Sequence, residues 1–83
     1  MAKLLDFRKN GILYVFRWTA EGDAFNQTLQ ALKVAIPLAE RFFNMETKEW
    51  SVRVTPPNEK VLAFLFENGK ACIETVKGQL ALW

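Results

Sequence analysis

The chain has no histidine, one cysteine, one tyrosine and only four glycines in 83 residues. Without histidine, both the commonest general base near neutral pH and the commonest metal ligand are missing. Cys72, the only cysteine, forms no intrachain disulfide and no cysteine metal cluster, which fits a reducing, intracellular setting. The glycines do not cluster into a phosphate-cradling loop. No apolar run approaches the ~18 residues of a membrane span, and Met1–Asp6 lacks the long apolar stretch of a signal peptide. The expectation is a cytoplasmic protein that neither spans a membrane nor is secreted. Charge is also scarce in the net: eleven basic and nine acidic residues leave +2, too little to argue for nucleic acid by itself.

What is present is apolar and aromatic. Half of the residues are hydrophobic, so the chain is not of disordered composition. Its length suits one domain, residues 1–83, with one core. A chain of this size buries only about 60% of its unfolded surface. With 13% aromatic residues, some rings are expected on the surface or in an interface.

Ile12–Trp18 is a run of β-branched and aromatic residues and predicts a strand covered on both faces. Lys3–Arg8 is its expected hairpin partner, through a type I′ turn at Asn10-Gly11. Asp23 is a candidate N-cap for a helix over Ala24–Ala35, in which Phe25, Leu29, Leu32 and Ile36 recur at helical spacing before Pro37 ends it. Arg41–Phe43 and Glu49–Val54 read as a second hairpin with Trp50, Val52 and Val54 on one face. Pro56 and Pro57 stop that strand.

Residues 58–66 suit either a helix, capped by the prolines and Glu59 and ended at Asn68-Gly69, or a hairpin arm before that same turn. The helix is the favoured reading. Ala71–Val76 is expected as a strand in both cases, Gly78 as a break and Gln79–Trp83 as an apolar tail. The fold class is therefore α+β. An antiparallel sheet of four to five strands carries one or two helices on one face, in the order β-β-α-β-β-α-β.

Chemistry is sparse. The carboxylates, scattered from Asp6 to Glu74, show no pair whose spacing demands acid–base work. No enzyme activity, cofactor or metal is expected. Arg41, Lys48 and Arg53 surround the second hairpin and could hold phosphates, with Arg17 adding a basic spot. The alternative is a solvated face on which Lys48 pairs with Glu46 or Glu49. Tyr14, Phe16 and Trp18 share a strand face that could stack bases, although core packing is the more usual fate. Trp50 suits an anchor of the hairpin against the helix.

The run Arg41-Phe42-Phe43-Asn44-Met45-Glu46-Thr47-Lys48-Glu49-Trp50 resembles the signature of the HARP domain, the small module beside the motor of annealing helicases. An amphipathic helix precedes the run, and the likeness extends over about residues 25–65. Phe43-Asn44 stands where that family has Tyr-Asp, and no helicase motor is present. The resemblance implies binding of single-stranded or forked DNA and no catalysis.

Two functions follow as expectations. The first is a small non-enzymatic nucleic-acid-binding accessory protein using Arg17, Arg41, Lys48 and Arg53. The second is a protein-interaction adaptor or inhibitor, acting through the aromatic sheet face or through Leu80, Leu82 and Trp83 of the tail. In the second, the tail adds a short edge strand to a partner or to a second copy in a homodimer.

Overall fold

The computed structural model describes residues 2–81, with side chains through residue 78. Two antiparallel hairpins build one sheet. The first joins β1 (Lys3–Asn10) to β2 (Leu13–Thr19), and the second joins β3 (Arg41–Asn44) to β4 (Glu49–Arg53). The spatial order is β1-β2-β4-β3, so β2 and β4 are central and β1 and β3 are edges. Phe16 lies opposite Phe7 on β1 and Trp50 on β4. The turn residues of the first hairpin are Gly11 and Ile12, not Asn10 and Gly11. Only Gly11 has positive φ, at 64°, which is the II′ pattern rather than I′.

All three helices lie on one face of the sheet. Tyr14, Phe16, Trp18 and Val52 point into that face and meet Leu32, Ile36, Leu62, Phe66, Ile73 and Val76 from the helical layer. The trio of β2 aromatics is therefore core, which removes it as a base-stacking platform. Tyr14 and Phe16 are 1% and 0% exposed. Burying each such side chain contributes roughly 1.5–3 kcal/mol. A bulge between Leu4 and Asp6 shifts the parity of β1, so that Leu4 and Phe7, three residues apart, both serve this face. On the opposite face, Val15 is buried beneath charged neighbours. Arg8 grips Glu49 across it (2.7 and 3.2 Å), and Arg17 pairs with Asp6.

Helix α1 (Asp23–Ala35) begins after Gly22, whose φ of 54° suits glycine. Asp23 is the first helical residue and makes no side-chain cap, so its carboxylate acts only through the helix dipole. Pro37 forces Ile36 into extended geometry and a single 3-10 turn, Leu38–Glu40, leads into β3. The ambiguous segment is helical: α2 (Pro56–Leu65) starts with Thr55, whose hydroxyl accepts from the Asn58 N–H (3.2 Å), and with two prolines in positions that need no donor.

The expected strand at Ala71–Val76 is instead part of α3 (Gly69–Ala81). Ile73 and Val76, three residues apart, share the buried face of that helix, whereas regular strand alternation would send them to opposite faces. Gly78 lies inside α3 and breaks nothing. Leu80 also belongs to this helix, so no edge strand forms over Gln79–Ala81, while Leu82 and Trp83 lie outside the described residues. The result is a four-stranded α+β fold with a third helix where a fifth strand was possible.

The two sheet edges differ. At β1, the Asn68 carboxamide accepts from the Leu4 N–H (2.8 Å) and donates to the Leu4 carbonyl (2.9 Å), as a neighbouring strand would. Ala2 bridges to Phe66, and its carbonyl accepts from the Glu67 N–H (2.9 Å). At β3, among the described residues, strand pairing runs only to β4; on the outer side the Arg41 N–H donates to the Leu38 carbonyl, and no strand pairs beyond it.

Candidate functional site

The four cations expected to meet nucleic acid do not converge. Arg17 lies on the helix-free face of the sheet, ion-paired with Asp6. Arg53, exposed, ends β4 opposite Leu13 on that same face. Arg41 turns the other way: its Nε donates to the Ile36 carbonyl (3.0 Å) and its guanidinium reaches the Lys33 carbonyl (3.5 Å). It thus satisfies acceptors that the end of α1 leaves open. Lys48 sits at the tip of the second hairpin with φ 61°, and no ion pair with Glu46 or Glu49 forms there. Glu49 is held by Arg8 instead, whose hydrogen bond lowers the Glu49 carboxyl below its usual range.

The residues that do come together are largely apolar. Between α1 and the β3–β4 hairpin lies an open groove of about 540 Å³. Phe25 and Leu29 supply its α1 wall, Leu38 the end of the loop, and Phe43 and Trp50 the sheet side, with Lys33 and Arg41 among the lining residues. Helical spacing puts Phe25, Leu29 and Lys33 along one stripe of α1. Strand alternation puts Arg41 and Phe43 on the helix side of β3 while Phe42 faces away. A smaller adjoining hollow is lined by Trp18, Phe25, Phe43, Lys48 and Trp50. No carboxylate lines either space.

The aromatic lining is already organised. Trp18 and Phe25 stack at 4.5 Å between ring centroids, and Phe43 tilts against Trp50 at 5.0 Å. Even so, Leu38 is 73% exposed, and Phe25 and Phe43 remain more than two-fifths exposed. Trp50 is half-buried, so it is both an anchor of the hairpin and part of the groove wall. The far wall is fixed from below. Asn58, the one buried polar side chain among the described residues, donates to Glu40 in the 3-10 turn (3.0 Å) and to the Arg53 carbonyl (3.0 Å). That clamp ties the loop bearing Leu38 to the end of β4 and the start of α2.

A second apolar hollow of about 410 Å³ lies on the outer surface of α1 and α2, lined by Ala31, Ala35, Lys60, Val61, Phe64 and Leu65. Phe64 is 80% exposed there. Only one cation lines it, and it adjoins no open strand edge.

Among the described residues, no group of three or more His, Cys, Asp or Glu side chains could hold a metal ion. No helix among them is long and apolar enough to cross a membrane. Cys72, on α3 near β1, is half-buried, and burial pushes its thiol up, away from the reactive thiolate.

Sequence reasoning singled out Arg41, Lys48 and Trp50 but missed Phe25, Leu29, Lys33, Leu38 and Phe43 as members of one site. The signal was the surplus of apolar residues on the first two turns of α1 and in Leu38, more than one small core needs. No family model matches the chain, and no curated protein or solved structure matches it either.

Proposed function

We propose that this protein is a non-enzymatic protein-interaction module, an adaptor or inhibitor, whose contact surface is the groove between α1 and the β3–β4 hairpin. The observation that carries the reading is the composition of that groove: exposed Phe25, Leu38 and Phe43 beside Lys33 and Arg41, with no lining carboxylate. Aromatic anchors and arginine are enriched in the energetic centres of protein interfaces. An exposed apolar patch on a small domain is a cost unless something covers it. This reading places the surface on α1 and β3 rather than on the β2 aromatics, which are core, while Leu82 and Trp83 of the tail lie outside the described residues.

Nucleic acid is the competing reading, implied by the HARP-like run. Lys33, Arg41 and Lys48 near aromatic rings would suit it. Against it, Arg17 is spent on Asp6 and Arg41 on the end of α1, which leaves no continuous phosphate track. Salt decides between them. Selection of dodecapeptides from a displayed random library, with Phe43→Asp protein as the counter-selecting bait, is expected to yield peptides that bind wild type in calorimetry. Their affinity should change little with salt. Single-stranded, forked and duplex oligonucleotides run in parallel at two salt concentrations. Steeply salt-dependent oligonucleotide binding with no selected peptide refutes the proposal.

A further inference from the structure

We infer that the groove takes its partner as an extended segment, which adds to the open edge of β3 as a fifth strand and carries apolar anchors flanked by acidic residues. The inference rests on the protein-interaction reading above and specifies its mode.

Three observations meet at this place. The first is the edge. The chain caps the start of β1 with Asn68 and the Ala2–Phe66 bridge, whereas on the outer side of β3 only the Arg41 N–H is engaged, by the Leu38 carbonyl of the preceding turn, and no strand pairs there among the described residues. An unpaired edge offers a row of backbone donors and acceptors, and natural sheets usually blunt or cover one. The second is alignment. Arg41 and Phe43 belong to the groove lining and to the edge strand at once. A segment paired with β3 places every second side chain on the helix side of the sheet, against Phe43, Leu38 and Phe25. Its alternate side chains fall beside Phe42, 55% exposed on the other face. Backbone pairing then supplies affinity and the groove selects the side chains.

The third is charge. Lys33 and Lys48 bring two cations to the groove and its adjoining hollow, Arg41 adds its charge while its donors are held by the end of α1, and no acid lines either space. A partner segment with aspartate or glutamate beside its apolar anchors complements them. The same charges argue against a second copy of this chain, because pairing two β3 edges brings both sets of cations to one seam. A helical partner could fill the groove but would leave the β3 edge unpaired.

The test uses a dodecapeptide selected as described above and the full-length protein labelled with nitrogen-15. Strand addition predicts intermolecular backbone contacts in NMR between the peptide and Arg41–Asn44, with slowed exchange of the Phe43 amide, which shares the orientation of the already bonded Arg41 N–H. It also predicts acidic residues among the selected sequences. Lys33→Glu and Lys48→Glu should each weaken the peptide by roughly fivefold, the upper worth of an exposed ion pair. A peptide that binds as a helix, contacting Phe25 and Leu29 with no backbone contact to β3, overturns strand addition and leaves the interaction reading standing. Self-association through β3 in sedimentation, abolished by Phe42→Lys, also overturns the stated occupant. If no peptide is selected and oligonucleotides bind, both readings fall together.

Discussion

Replacing Gly69 by alanine tests the packing that replaced the expected strand. Gly69 opens α3 where that helix leaves α2 at its closest approach. A Cβ at this position would lie 2.2 Å from the Leu62 carbonyl oxygen, 2.9 Å from its carbon and 3.0 Å from Ala63 Cα. All three are backbone atoms, so no side chain can swing away. Restoring ordinary contact requires the helices to part by on the order of 1 Å in a close-packed interior. Leu62 itself is fully buried, so the movement reaches the core. Overpacking of this kind costs about 1–3 kcal/mol and sometimes more, while alanine recovers at most about 1 kcal/mol of helix propensity. With rigid atoms on both sides we expect a net loss of about 3 kcal/mol, against a total of about 4–12 kcal/mol for a domain this long. In a thermal melt that is a fall of roughly 12–24 °C. Gly78→Ala in the same helix is the control. Its Cβ meets nothing within 4 Å, so it should raise stability by up to about 1 kcal/mol. If Gly69→Ala melts at or above wild type, the α2–α3 approach described here is wrong.

The remaining predictions concern the groove, a half-buried carboxylate and the capped start of β1. Trp50→Ala should cost about 2 kcal/mol in urea unfolding, below the ~3–5 kcal/mol of a fully buried ring, because its indole is only half-buried; a larger loss would place it in the core. Burial pushes the Glu59 carboxyl up, but hydrogen bonds from Tyr14 (2.5 Å) and Lys77 (3.0 Å) outweigh it and leave the group below its usual range. A lowered carboxylate stabilises the fold above its unfolded pKa and loses that contribution as pH falls through the lowered value. Melts from pH 6 to well below the unfolded carboxyl value of about 4.3 should show the loss, and Tyr14→Phe should flatten it. An unchanged acid limb in that variant would count against the Tyr14–Glu59 bond. Tyr14 is shifted the other way: burial, then the bond to Glu59, raises its hydroxyl. Its contribution is complete below about pH 10 and declines as pH climbs from there toward the raised value. Asn68→Ala should cost about 2 kcal/mol and speed Leu4 amide exchange, since both Leu4 backbone groups lose their partner; unchanged exchange would refute the seal.

Local chemistry made most elements legible. The β-branched and aromatic run of β2, the periodic face of α1, Pro37 and the Thr55-Pro56-Pro57 start of α2 each have a short-range physical cause. Ala71–Val76 misled because Ile73, Thr75 and Val76 favour strands when read alone, whereas packing against β1 and α2 decided for the helix. The amphipathic spacing of Ile73 and Val76 was present but competed with that signal. The groove was legible only in pieces. Its lining spans Phe25 to Trp50 and is assembled by the placing of the second hairpin beside α1, which no local rule reports. Arg41 shows the limit most plainly: a cation beside an aromatic hairpin invites a phosphate, yet its guanidinium answers the carbonyls of its own helix.

The unequal treatment of the two sheet edges sets a valence. A sheet open on both sides can accept neighbours without end, which is how fibrils grow. Here the start of one side is capped at Leu4 by a carboxamide that mimics a strand, which disfavours growth by edge pairing at that end. An extended guest is therefore directed to the open edge at β3. For a small chain that leaves aromatic residues near its open edge, capping the start of the far side favours a one-to-one complex over an aggregate.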